Sequence, residues 1–270
     1  MKKPILVGKS AVVFTLLLTG FLLPLISYSQ TFFGVASSPA DNGSNTATTA
    51  TITPPASMQA GDLVIIYGEY RNTGGTLTIS DDGGQSWTTE TQYNGSNQRT
   101  RIFWCRFNGT WSSSPQISRG TGGGTRPLSA IMYVFRPTIS TNSWTANVGP
   151  NDANPTGTSI SVTGVTTTLP KTVTMAYWGS PATTTWGSLS GTNWIKTGLN
   201  AQYRNTGGSG QSHTSAYNIQ SSAAALANVS QIQSSSQQTA TSIISWAEIV
   251  PPPSNNDCSG GPLLTSGTTC

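Results

Sequence analysis

A glycoside hydrolase needs two carboxylates flanking one scissile bond, and past residue 29 the chain has nine acidic side chains to draw on. They are Asp41, Asp62, Asp81, Asp82, Asp152, Asp257, Glu69, Glu90 and Glu248. Glu69 and Glu90 stand near strand-like runs flanking one turn, so they are the pair that a cleft could bring together. Glu69 also alternates with apolar residues, as a solvent-facing position would. A single histidine is present, His213, and its neighbours Gln211-Ser212-His213-Thr214-Ser215 include no acidic orienter. General-base catalysis needs such partners, so His213 reads as a hydrogen-bonding or surface residue. No Gly-x-Ser-x-Gly elbow occurs, and one histidine cannot complete a zinc site with the available cysteines. The run Arg119-Gly-Thr-Gly-Gly-Gly-Thr-Arg126 is followed by Pro127 and a β-like segment. A phosphate loop would end in Gly-Lys-Ser/Thr and open a helix, so this is read as a hairpin loop. Neither a catalytic set, a metal nor a cofactor is expected.

Binding chemistry is better supplied. The chain has eight tryptophans and eight tyrosines, and aromatic faces beside neutral hydrogen-bonding groups suit sugar rings. Trp87, Trp104, Trp178, Trp194 and Trp246 lie in or beside strand-like runs and are expected in the core. Trp111, Trp144 and Trp186 lie in Ser/Thr/Asn-rich contexts and are the candidate ligand-binding set. Ser80 to Trp87 (SDDGGQSW) fits the pattern S-x-D-x-G-x-S/T-W. Here Asp82 can accept backbone N–H bonds, Gly84 permits positive φ, and Trp87 anchors the hairpin. It resembles the Asp boxes of sialidases and other propellers, which are structural turns there, and a structural turn is expected here.

The surface that carries these groups is polar without being ionic. Only 8% of the 270 residues are charged, against roughly a quarter in ordinary domains. Lys2, Lys3 and Lys9 precede an apolar run from Ala11 to Ile26, and Ser27-Tyr28-Ser29 offers small residues at −3 and −1 of a cleavage site. Residues 1–29 therefore read as a signal peptide, with a mature start at Gln30, no membrane span in the mature protein, and a secreted or cell-surface destination. Without those three lysines the formal charge falls from +4 to +1. That argues against nucleic-acid binding, which needs clustered cations.

The segments Asp62–Tyr70, Arg99–Phe107, Leu128–Arg136, Thr158–Val165, Thr172–Trp178 and Thr241–Val250 are rich in β-branched and aromatic residues. Gly, Asn, Ser and Pro clusters separate them. This is an all-β pattern, and the expected fold is an antiparallel two-sheet β-sandwich, jelly-roll-like, over residues 30–250. Ala223–Val229 reads as a helical turn or a loop. Two echoes suggest related halves. Gly84-Gln-Ser-Trp87 is followed by Gln92-Tyr93, and Gly191-Thr-Asn-Trp194 by Gln202-Tyr203. Tyr70–Gly75 also recurs verbatim as Tyr203–Gly208, but at a different place relative to the tryptophan.

Residues 251–256 form a Pro-rich linker, and 257–270 are too short to bury a core. Cys105 sits in an apolar run and should pack as a small hydrophobe, whereas Cys258 and Cys270 could pair as a disulfide after export. The tail, with Asn256-Asp257-Cys258, Pro262-Leu263-Leu264 and Cys270, resembles the opening of Cys-containing modules in type IX-secreted multidomain surface proteins. That resemblance implies a truncated start of a second module. The main segment resembles β-sandwich domains of secreted bacterial surface proteins and phage tail proteins. The residues that carry the likeness are Ala60-Gly-Asp-Leu-Val-Ile65, Trp87, Arg101-Ile-Phe-Trp104 and Ile131-Met-Tyr-Val-Phe-Arg136. It implies a non-catalytic adhesin or display module with a surface glycan or protein receptor as partner; the alternatives are a carbohydrate-binding module of a larger secreted enzyme or a glycoside hydrolase.

Overall fold

The computed structural model describes residues 30–36, 40–41, 47–71, 74–80, 84–120, 126–198, 202–205 and 210–251. The signal peptide, Asp82 of the turn, the centre of the Gly-rich loop, the linker beyond Pro251, and Cys258 with Cys270 lie outside the described residues.

All regular structure among the described residues is β. The first half of the chain supplies β1 (Thr31–Val35), β2 (Ala40–Asp41), β3 (Thr49–Thr51), β4 (Leu63–Tyr70), β5 (Thr78–Ile79), β6 (Thr88–Thr89), β7 (Tyr93–Asn94), β8 (Arg99–Arg106), β9 (Gln116–Ser118) and β10 (Leu128–Arg136). The second half supplies β11 (Ser143–Ala153), β12 (Thr156–Val162), β13 (Thr172–Ser180), β14 (Trp186–Ser190), β15 (Ile195–Lys196), β16 (Tyr203–Asn205), β17 (Gln211–Gln220), β18 (Val229–Gln238) and β19 (Ala240–Ile249). Of Ala223–Val229, residues Ala223–Asn228 are a loop, with Ala225 bridged to Thr166, and Val229 opens β18.

The strands form four antiparallel sheets, and each half builds two of them. A seven-stranded sheet runs β1-β10-β4-β8-β6, with β2 and β7 alongside, and a three-stranded sheet runs β3-β9-β5. The second half repeats both paths as β11-β19-β13-β17-β15, with β16 alongside, and β12-β18-β14. The long β11 takes the place of β1 and β2 together. The expected sandwich, with its jelly-roll strand order, thus forms twice. Its two copies meet through their large sheets: β4 faces β13, with Tyr67 and Tyr177 stacked at 4.6 Å and 4°, while Trp104 of β8 meets Trp246 of β19 at 6.2 Å.

Register confirms the duplication. Thr88 pairs with Trp104 and Ile195 with Tyr217; Tyr93 pairs with Thr100 and Tyr203 with His213. Trp87 and Trp194 therefore hold equivalent places, as do Thr100 and His213. Even a bulge recurs, between Phe32 and Gly34 in one half and between Ala146 and Val148 in the other. The verbatim Tyr-Arg-Asn-Thr-Gly-Gly copies are not equivalent, since Tyr70 ends β4 and Tyr203 begins β16.

This stacking explains the sequence. The two large sheets are covered on both faces, so β4, β13 and most of β10 and β19 are buried at successive residues, which in Leu63–Tyr67 and Ala130–Phe135 gives unbroken apolar runs. The outermost β18 instead alternates at its start, with Val229, Gln231 and Gln233 inward. Between its sheet and the large one lies a second core of Ile160, Val162, Trp178, Trp186, Trp194, Val229 and others. Trp178 is fully buried there and donates its indole N–H to Ile160 O at 3.0 Å. Trp178→Ala should cost about 3–5 kcal/mol. Trp87, expected to be as deep, is only half-buried, so Trp87→Ala should cost clearly less. Urea midpoints compare the two, and equal losses would contradict this layering.

Candidate functional site

Equivalent positions of the two halves meet in a buried cluster of polar side chains. Gln98 and Gln211 are equivalent, two residues before Thr100 and His213. Each reaches across to a backbone carbonyl of the opposite half: Gln98 Nε2 donates to Gly179 O, and Gln211 Nε2 to Glu69 O at 3.1 Å. Glu69 and Gly179 are themselves equivalent positions on β4 and β13. The symmetry is broken where the side chains are large. A Cβ at Gly179 would lie 2.8 Å from Glu69 Oε1 and 2.6 Å from the Tyr67 hydroxyl, so the Glu69 carboxyl occupies the room that glycine leaves.

His213, opposite this carboxyl, has Nδ1 3.5 Å from Glu69 Oε2 and 3.2 Å from Ser129 Oγ. Ser129 Oγ also accepts from Gln211 Nε2 at 2.9 Å. Glu69, Ser129, Gln211 and His213 are all fully buried. Burial raises the Glu69 pKa well above its ordinary value, against a smaller lowering by Gln211. Burial also pushes His213 down to about 3. Burial thus favours the uncharged form of each, the carboxylic acid of Glu69 and the neutral imidazole of His213. Serine, histidine and glutamate stand together, but not as a catalytic triad. A triad places serine and acid on opposite ring nitrogens, whereas here both face Nδ1 and Nε2 has no partner. Sequence reading missed this cluster, because it placed Glu69 toward solvent and saw no acid near His213.

The expected Glu69–Glu90 pair does not form a cleft, since Glu69 is sealed between the sheets. Glu90 lies at the sandwich edge, where its Oε1 accepts from Trp104 Nε1 at 2.7 Å. Its acidic neighbour is Asp152, whose pKa is raised, chiefly by burial and further by Glu90, with Ser242 acting the other way. These two and Ser242 border a cavity of about 10 Å³, space for about one water and none for a sugar. Asp62 pairs with Arg136 at 3.0 Å. Glu248 Oε1 caps the 138–142 loop, accepting from Thr138 N at 2.9 Å and from Asn142 Nδ2 at 2.5 Å. No group of three or more potential metal-ligating side chains occurs among the described residues.

Of the tryptophans expected on the surface, the structure buries two. Trp144 donates to Gly61 O at 2.9 Å, and its equivalent Gln30 donates to the corresponding carbonyl of Lys171 at 2.5 Å. Trp186 packs in the second core. Both were read as exposed from their polar neighbours, but each is the inward residue of a short strand or strand start. Trp111 is half-buried and stacks on Phe107 at 5.0 Å and Trp87 at 6.3 Å. Gly84 has the positive φ its turn was expected to need, 67°. Cys105 is buried as expected.

One further opening is one that the sequence did not suggest. A groove of about 590 Å³ runs between the turn at Thr192-Asn193 and the loop 221–227 of the second half. Asn218, Gln220 and Ile219 at the end of β17 also line it. Asn193, with φ 62°, turns its carbonyl to accept from Asn218 Nδ2 at 2.8 Å, which fixes that amide in the wall. Among the described residues, no helix is long and apolar enough to cross a membrane. No protein family, curated protein or solved structure matches this chain.

Proposed function

We propose that the chain is a non-catalytic, exported module that acts on a cell surface or in the extracellular space as an adhesin or structural display unit. Its partner on this reading is a surface glycan or a protein receptor. One observation carries it: the Ser129–His213–Glu69 grouping, the arrangement here nearest to hydrolytic chemistry, is enclosed between two sheets with both partners on one ring nitrogen. A substrate cannot reach it, and charged residues are sparse in the chain as a whole, at 8%. The Lys-flanked apolar leader supports export. A carbohydrate-binding module within a larger secreted enzyme is the second reading, favoured by the uncharged groove of the second half.

The test pairs attachment with turnover. The purified protein should attach saturably to cells or to arrayed glycans while leaving polysaccharide and ester substrates intact. Turnover that disappears with Glu90→Gln or Asp152→Asn would overturn the proposal and place chemistry at the sandwich edge.

A further inference from the structure

The duplication allows each site in one half to be compared with its counterpart in the other, and one pair differs sharply. In the first half, the loop after β8 closes onto the turn before β6. Gln85 Nε2 donates to Asn108 Oδ1 and to Thr110 O, both at 2.7 Å, and Asn108 N donates back to Gln85 Oε1 at 3.0 Å. Trp111 then fills the remaining space against Phe107 and Trp87.

The second half lacks each part of that closure. Continuing the β8–β17 register, Gln220 replaces Phe107, and the alanines at 224 and 225 replace Trp111. Thr192 stands where Gln85 does, two residues before the equivalent tryptophan. The loop after β17 is held away from the turn instead. Thr167 N donates to Ala224 O at 3.1 Å, Ala224 N donates to Thr167 Oγ1 at 3.0 Å, and Leu226 N donates to Val165 O at 2.8 Å. What the first half fills with an indole, the second keeps open as the 590 Å³ groove, within the size range of small-ligand sites.

The lining states what would fit. No Asp, Glu, Lys, Arg or His borders the groove, so a charged ligand finds no counter-ion there. Asn193, Asn218 and Gln220 bring amides, and Thr192 and Ser222 bring hydroxyls, groups that donate as well as accept. Leu226 gives an apolar contact. A ligand dense in uncharged hydroxyls, with an apolar ring face, matches both features. We propose that this groove is a binding site for a neutral oligosaccharide. The inference rests on the attachment reading above and deepens its glycan form by naming the site and the ligand class.

The probes are neutral hexasaccharides from glucan, mannan, xylan and chitin, with a uronic-acid hexasaccharide as the charged control, titrated against the ¹⁵N-labelled protein. Saturable shifts of the Asn193, Asn218 and Gln220 side-chain amides are expected with at least one neutral probe. Ala224→Trp, which restores an indole at the position of Trp111, should weaken that binding by about tenfold or more. Ser222→Trp should do the same; both sites are exposed, and an unchanged far-UV spectrum verifies the fold. Silence of these amides toward every neutral probe, preference for the charged control, or binding unaffected by both variants would each overturn the groove. Cell attachment that persists in any of those cases spares the attachment reading, and loss of attachment as well removes both.

Discussion

An alanine at Gly179 should lower the stability of the protein by about 3 kcal/mol, the upper end of the usual cost of overpacking. The added methyl would lie 2.6 Å from the Tyr67 hydroxyl and 2.8 Å from both Cδ and Oε1 of Glu69. Flexible side-chain ends could ordinarily swing clear, but these cannot. Tyr67 is stacked on Tyr177, Glu69 is fully buried against His213, and the Gly179 carbonyl is fastened by Gln98. The clash therefore falls on the seam between the two large sheets. Glu69→Ala alone should also destabilise, because it empties the same space. Combined with Gly179→Ala it should cost less than the two single changes together, with a coupling of about 1–2 kcal/mol. Urea titrations of the four proteins in this cycle measure that coupling. Additive losses would mean that the carboxyl does not occupy the glycine's space.

The pH dependence of stability should be nearly flat in mild acid and fall as the solution turns alkaline, which ordinary carboxylates do not cause. Glu69 has its folded pKa raised and His213 has its folded pKa lowered to about 3, against unfolded values of about 4.3 and 6.5. Between those unfolded values the native pair holds one proton, on Glu69, and the unfolded chain holds one, on His213. The proton counts match, so this pair contributes no slope. Above about pH 6.5 the unfolded histidine has lost its proton, and as long as the raised pKa of Glu69 lies above the solution pH the native chain still holds one. Stability should then fall by about 1.4 kcal/mol per pH unit until the raised pKa of Glu69 is passed. Below about pH 4.3 the unfolded chain binds both protons and the native pair one, so stability falls again. The alkaline arm is the diagnostic one, because ordinary carboxylates are ionised in both states there. Glu69→Gln should abolish it and His213→Gln should leave it in place. Denaturant midpoints from pH 6.5 to 8.5 decide the matter, and a wild-type stability that holds level over this range would show that Glu69 is ionised in the folded protein.

The amino-acid sequence by itself determined the all-β class and placed β4, β8, β10, β13 and β19 to within two residues, while β11, β17 and β18 were not marked by it. It also suggested that the Trp87 and Trp194 turns are related. These are local properties: β-branched and aromatic runs, turn residues, and a Gly-x-x-Trp turn followed by a Gln-Tyr pair. Unbroken apolar runs such as Leu63–Tyr67 also announce strands covered on both faces. They cannot say what covers them, and that was left to tertiary structure. Whether Glu69 meets water or His213 depends on which face of β4 is turned to β17, two strands that share no local sequence signal. Polar neighbours made Trp144 and Trp186 look exposed, but burial follows from the sheet packed over a position, not from the residues beside it in the chain. The groove was equally unreadable, because it is the space left where one half has alanines and the other an indole. Strand propensity acts over a few residues, whereas the pairing of layers is decided by side chains that fit across the seam, and that fit exists only once both halves have folded.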